Sequence, residues 1–233
     1  MVLLGTLWFS SLQPVYSHIT NTISELGETG AVHPHLVAYG FFLPVGLMVW
    51  LALWLLHREG DGKELSRVLL ALSCLGTGYV ASAFFPCDPG APLFGTWRTL
   101  AHNAAGLADY GGTAIGLLLA SRCLARRRAQ PEAAALAVGG AFGLLCLILL
   151  CLPSAFPVRG AVQRVAELAQ FTGVIFVCFL LSGRGTPNQR PAQDAGTGVA
   201  LQSGHQPPGA SEKVRKNVLP ITSYIASVCA WLT

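Results

Sequence analysis

The sequence predicts an all-α fold, a polytopic transmembrane helix bundle of about six spans. Three observations carry that expectation. Charged residues make up 11% of the chain and apolar ones 52%, whereas soluble domains hold roughly 25% charged residues. Several apolar runs reach about 20 residues, the length that crosses a hydrocarbon core of roughly 30 Å. The lysines and arginines, finally, divide very unevenly between alternate loops.

The spans follow in order. The opening MVLLGTLWFS reads as the end of a first span. It is too short to cross alone, and no positive charge precedes it, so it makes a poor signal peptide; a truncated or mis-assigned start is the expectation. Five full spans are expected at 36–57, 67–86, 100–121, 133–153 and 161–182. From 183 to 217 the chain turns to Gly, Pro, Gln, Ser and Ala, the composition of a disordered tail. Residues 218–233 close it with a short apolar segment. Fifteen helical residues reach only about 22 Å, which suits a membrane-surface helix or a mis-read gene end and carries no function.

Topology follows from charge. Of 15 lysines and arginines, only Arg98, Arg159 and Arg164 fall on one side when loops are assigned alternately. The positive-inside rule then places both termini in the cytoplasm of a multi-pass cell-membrane protein. The net charge of +4 is topology signalling and points to no nucleic-acid partner; the bilayer is the expected partner. Cysteine adds little. Cys74, Cys123, Cys146, Cys151 and Cys178 lie in or at the ends of spans, Cys87 alone falls in an outer loop, and no CxxC spacing occurs.

Two polar clusters then share the outer side. One is YSHITNTISELGETGAVHP, from Tyr16; the other is FPCDPG from Phe85, followed by His102 and Asn103. Lipid tolerates no unsatisfied backbone, so these segments lie outside the bilayer or line a protected cavity. Within the spans, His102, Gly106, Asp109, Thr113 and Gly116 share one helical face, as do Gln163, Glu167 and Gln170. Gly78 with Ser82, Gly112 with Gly116, and Gly139 with Gly143 are small-residue pairs that let helices approach.

NTISELG, FPCDPG, HNAAG and QRVAE together resemble the bacterial and archaeal six-helix membrane family catalogued as domain of unknown function 998. The resemblance covers about residues 1–182. It implies a six-helix fold with a polar outer cluster, and it supplies no activity.

The candidate residues are these. Asp109 lies about nine residues inside its span, roughly 13 Å deep at 1.5 Å per residue, where a carboxylate costs about 2.5–3.5 kcal/mol. It is protonated, hydrogen-bonded to a neighbour, or exposed to a water-filled pocket. His102, Asp88 and Asp109 are candidate metal ligands or acid–base groups, since zinc-like ions accept imidazole nitrogen and carboxylate oxygen. No HxxxH or HExxH spacing fixes two ligands on one helix, and an interfacial histidine more commonly snorkels or caps. No cofactor is assigned. Glu25, Asn103, Glu167 and Arg164 are candidate ligand-binding groups. Arg164 is expected to pair with Glu167 at i, i+3, or to reach Asp88 or Glu25 and close the outer mouth. Ser24-Glu25 reads as the start of a turn rather than a nucleophile and base, CDPGAP reads as a turn, Glu28 as surface, and His18, His33 and His35 as solvated loop histidines.

Three functions remain open at this level. One is an enzyme on a lipid or other small-molecule ligand at the outer leaflet. Another is a proton-coupled carrier using Asp109 and Glu167, small enough that a homo-oligomer is expected; no internal repeat or broken helix supports it. The third is a non-catalytic partner-binding factor. The shared geometric expectation is that His102, Asp109 and Glu167 point into one cavity.

Overall fold

A computed structural model of the chain describes residues 2–182 apart from position 61. The tail expected at 183–217 and the apolar segment at 218–233 lie outside the described residues. Six helices follow in order: α1 (Val2–Ser11), α2 (Pro34–Arg58), α3 (Lys63–Phe84), α4 (Trp97–Arg126), α5 (Gln130–Cys151) and α6 (Arg159–Ser182). Among the described residues there is no strand. Each expected span is found, with ends displaced by a few residues.

The surface identifies the solvent. Leu70, Val138 and Phe179 are 73%, 69% and 74% exposed, while Asp109, Glu167 and Gln170 are 4%, 5% and 0% exposed. Water would select the reverse. Hydrocarbon selects this arrangement, because lipid is as apolar as leucine and leaves polar groups only the bundle interior. Pro34–Arg58, Lys63–Phe84, Gln130–Cys151 and Pro153–Leu181 are long and apolar enough to cross a membrane. The other two are α1, apolar but only 10 residues long, and α4, 30 residues long but rich in polar groups. The latter is the central helix, packed against α3, α5 and α6, so its polar face meets protein rather than lipid.

Close approach sets this packing. At the α2–α3 crossing a Cβ on Gly46 would come within 2.6 Å of the Gly76 carbonyl oxygen, and one on Gly76 within 2.8 Å of the Gly46 oxygen. Only glycine admits that contact. On α5 the close residue is Gly140, whose Cβ would lie 2.9 Å from the Ala114 oxygen; Gly139 and Gly143 have ordinary contacts at 3.8 and 3.5 Å. The expected Gly139–Gly143 pair is therefore one residue out of register with the helix it meets. In α2 a π-helical turn at Ala38–Phe42 directly precedes Pro44, which has no N–H for the helical ladder. It aims Phe41 and Phe42 inward, edge-on to Tyr79 at 6.5 and 6.1 Å between ring centres.

Segments 12–33, 85–96 and 152–158 meet at one end of the bundle and form a stitched cap. The Thr29 N–H donates to the Cys87 oxygen at 2.8 Å, the Gly90 N–H to Glu28 Oε2 at 2.6 Å, and the Ala161 N–H to the Ile19 oxygen at 3.0 Å. The opposite end carries the turn that follows α4 and an exposed Arg126–Glu64 ion pair at 2.5 Å.

Candidate functional site

Several candidate residues turn out to build the cap. Glu25 is buried and fully occupied: it accepts from the Asn21 side chain at 2.6 Å, from Thr22 N–H at 2.8 Å and Thr22 Oγ1 at 2.9 Å, and it pairs with Arg159 at 2.9 Å. Arg159 also donates to the carbonyls of Ala91, at 3.1 Å, and Gly90. The ion that closes this end onto Glu25 is thus Arg159, not Arg164. Arg164 makes neither expected pairing. Its guanidinium donates to the carbonyls of His18, Asn21 and Gly160, to the Tyr16 hydroxyl at 2.7 Å and to His18 Nδ1 at 3.1 Å. A helix residue one turn from its N-terminus naturally finds the carbonyls of the loop folded over it.

Asp88 and Asn103 also hold the cap. Asp88 accepts from the Thr96 N–H at 2.7 Å and Thr96 Oγ1 at 3.0 Å, and its own N–H donates to Thr99 at 2.8 Å. The Thr96 N–H, with the neighbouring hydroxyls, holds the Asp88 carboxyl below its usual range. The Ala91 N–H closes the expected turn onto the Asp88 oxygen at 2.9 Å. Asn103 donates to the carbonyls of Pro92 and Leu93. Burial pushes the Cys87 thiol up to about 12 and the Tyr16 hydroxyl up to about 12. Glu28, read as surface, is also raised by burial while it accepts from Gly90. His18 is not merely solvated. Because its Nδ1 accepts from Arg164, its Nε2 carries the proton toward Ser10, at 3.2 Å; partial burial and then the Arg164 charge hold it below its usual range.

Among the described residues no three His, Cys, Asp or Glu side chains gather to hold a metal ion. Asp88 is turned toward Thr96, and both ring nitrogens of His102 are engaged. The expected set of Asp88, His102 and Asp109 is therefore not brought together.

His102, Asp109 and Glu167 do line one cavity, of about 40 Å³, just beneath the cap. His102 is buried, with Nδ1 2.9 Å from the Phe85 carbonyl and Nε2 3.0 Å from Ser24 Oγ. A carbonyl can only accept, so Nδ1 carries the proton. Glu167 receives two hydroxyls, from Tyr79 at 3.0 Å and Tyr110 at 2.6 Å. The Tyr79 ring is held edge-on by Phe41, Phe42 and Phe171, which fixes where its hydroxyl points. Asp109 Oδ1 is buried with no hydrogen-bond partner among the described residues. Its carboxyl fits only because residue 78 is glycine: a Cβ there would lie 2.5 Å from Asp109 Cβ and 2.7 Å from Cγ. Gln163 Oε1 accepts from the Ile23 N–H at 2.6 Å, closing the roof.

A second cavity, of about 360 Å³, opens between α1 and α6. On α6 it is walled by Arg164, Glu167, Leu168, Phe171, Thr172 and Ile175, one helical face running about 16 Å inward from the cap. On α1 it is walled by Val2, Leu3, Thr6 and Leu7. Polar groups stand at the cap end and apolar ones deeper. Thr6 interrupts that pattern, with a buried Oγ1 that has no partner among the described residues. Ile23 and Glu167 line both cavities.

Sequence reasoning missed Arg159, Tyr79 and Tyr110, and it set Ser24 aside as a turn residue without finding its partner His102. The two tyrosines carried a usable signal, since each is a polar group in an apolar span beside Gly78 or Asp109. Ser24 and Arg159 carried none, because their partners lie far along the chain.

No curated protein and no solved structure matches the chain. The apolar spans make it a multi-pass membrane protein, and its residues 1–180 match the model described as a protein of unknown function, DUF998, the family to which the chain belongs.

Proposed function

We propose that the protein resides in the cell membrane, with both termini cytoplasmic and the stitched cap outside, and takes a lipid or related amphiphile from the outer leaflet. The α1–α6 cavity carries this reading. Its volume lies within the range of small-molecule sites, roughly 300–1,000 Å³, and its polarity runs from Arg164 and His18 at the cap to Phe171 and Ile175 below. An acyl chain laid along α6 would meet apolar walls, and its head group would meet the cap. Among the described residues no carboxylate pairs with Arg164, although its N–H groups are engaged by neutral acceptors, so an anionic or zwitterionic head is favoured.

Native mass spectrometry of the full chain tests this. The wild type is expected to retain an amphiphile through gentle detergent removal. Thr172→Trp, which fills the cavity from an exposed wall position, is expected to lose it. A wild type that carries none, and takes none up from vesicles of phosphatidylglycerol and phosphatidylethanolamine, would overturn the reading.

A second reading, a proton-coupled carrier using Asp109 and Glu167, is favoured by the unpartnered Asp109 Oδ1. Proton uptake into proteoliposomes, present in the wild type and absent in Asp109→Asn, would replace the first reading with this one.

A further inference from the structure

The hydrogen bond between Ser24 and His102 joins residues far apart in the chain, across the boundary between cap and bundle. Ser24 opens the single turn Ser24–Gly27 and is only partly buried. Nδ1–H is committed to the Phe85 carbonyl at 2.9 Å, so the remaining lone pair of the imidazole is aimed at the Ser24 hydroxyl at 3.0 Å. A hydroxyl, a base within hydrogen-bond reach and a third group that fixes the base's tautomer are the parts of an activated nucleophile. Ser24 binds nothing else through its hydroxyl in the described structure, and both side chains line the small cavity.

That cavity has room for a reacting group but not for a lipid. About 40 Å³ corresponds to roughly three water-sized spaces. Beside His102, one helical turn further along α4, Gly106 leaves open space: a Cβ there would meet nothing within 4 Å. The large cavity adjoins at Ile23, the residue directly before Ser24, and at Glu167, whose position the two tyrosine hydroxyls fix. An amphiphile with its chain along α6 therefore brings the junction between chain and head close to Ser24.

We infer that Ser24 and His102 are a nucleophile–base pair for acyl transfer from a carboxylic ester of the bound amphiphile, an inference that rests on the amphiphile reading above. Ser24 Oγ attacks the ester carbonyl carbon as its proton passes to His102 Nε2. The tetrahedral intermediate collapses, and the imidazolium returns that proton to the departing alkoxide, which leaves as an alcohol. Water then attacks the acyl–Ser24 ester, with His102 Nε2 taking its proton. The carboxylic acid departs, and the proton returns to Ser24 Oγ.

The test is covalent labelling of the full chain in nanodiscs with two fluorophosphonates, one short (diisopropyl fluorophosphate) and one bearing a long alkyl chain, and the site read by tandem mass spectrometry. Both probes are expected to modify Ser24. His102→Gln is expected to slow labelling by about 10²–10⁴-fold, the usual contribution of a positioned general base. Ser24→Ala should abolish it. The primary readout, the labelled site in monodisperse wild type, depends on no variant folding correctly. Wild type unlabelled at Ser24 by the short probe, or a His102→Gln rate equal to wild type, would overturn the pair and leave the hydrogen bond as a tie between cap and α4. Thr172→Trp separates the two readings. If it slows only the long probe, both stand. If it slows neither, the nucleophile stands and the amphiphile cavity falls.

Discussion

Gly78→Ala isolates the contact on which the Asp109 environment depends. The added Cβ would lie 2.5 Å from Asp109 Cβ and 2.7 Å from its Cγ, well inside van der Waals separation. Neither atom is the free end of a flexible chain, so relief requires moving α3 away from α4 near the cavity. Overpacking of this kind costs about 1–3 kcal/mol. Gly139→Ala is the internal reference, because its Cβ would meet only Leu117 Cδ1, at 3.8 Å. There the gain in helix propensity, about 0.5–1 kcal/mol, should leave stability unchanged or slightly raised. The assay is reversible unfolding in mixed micelles with SDS as denaturant, read by tryptophan fluorescence, across the cycle of Gly78→Ala, Asp109→Gly and the double variant. With the Asp109 side chain removed, Cβ included, the new methyl has space, so the double variant should be less damaged than the sum of the two by at least about 1 kcal/mol. Additivity within about 0.5 kcal/mol, the behaviour of independent sites, would refute the packing argument, as would a Gly78→Ala variant as stable as Gly139→Ala.

Four further outcomes follow from the same geometry. Tyr79→Phe and Tyr110→Phe each remove a donor from buried Glu167 and should each cost about 1.5–3 kcal/mol in that assay, with strong non-additivity because they share one acceptor. Arg159→Met should cost about 3–5 kcal/mol by leaving Glu25 buried without its cation, whereas Arg126→Met, from an exposed pair, should cost under about 1 kcal/mol. Asp88 has a lowered folded-state pKa, so its contribution is present above about pH 4 and is lost as pH falls through the folded value; a pH series of unfolding midpoints should show a flatter acid limb in Asp88→Asn. Cys87, buried with a thiol raised to about 12, should resist iodoacetamide at pH 8 in the folded protein while exposed Cys151 reacts, as peptide mapping would show.

The spans were legible because the bilayer imposes a length and a polarity on each one, and a single sequence displays both. The inward faces of α4 and α6 were legible for a related reason: polar residues at helical spacing in lipid have only one place to go. Pairings were not. Arg164 and Arg159 both stand near the start of α6, and nothing in the spacing tells which meets Glu25. That choice depends on how the 12–33 segment folds, and the segment's own carbonyls capture Arg164 first. The Gly139–Gly143 pair shows the same limit on a smaller scale. Small residues mark that a helix approaches, but the rotation that selects Gly140 is set by Ala114 and Leu118 on the neighbouring helix. Ser24 read as a turn residue, and it is one. Its second role exists only because Phe85 and His102 arrive from elsewhere in the chain.

Polar side chains are satisfied in the cap and left unsatisfied at several positions on the helices. Around the cap the charged and amide side chains are saturated: Glu25, Arg159, Arg164, Asp88 and Asn103 all spend their hydrogen bonds on carbonyls, hydroxyls or each other. Among the described residues, the buried side-chain atoms without partners belong to Thr6, Asp109, Thr113 and Gln170, all on helices. Thr6 walls the large cavity and Asp109 the small one, while Thr113 and Gln170 lie one turn further along from Asp109 and Glu167. Each such group costs about 1–3 kcal/mol in a folded protein. Apolar residues of similar size would avoid that cost, as most of the sequence of α5 does. They stand on α1, α4 and α6, two of them on cavity walls, which is where the amphiphile and Ser24–His102 proposals put binding and chemistry. Cap residues close both cavities over these groups: His18 and Ile23 line the large one, Ile23 and Ser24 the small one.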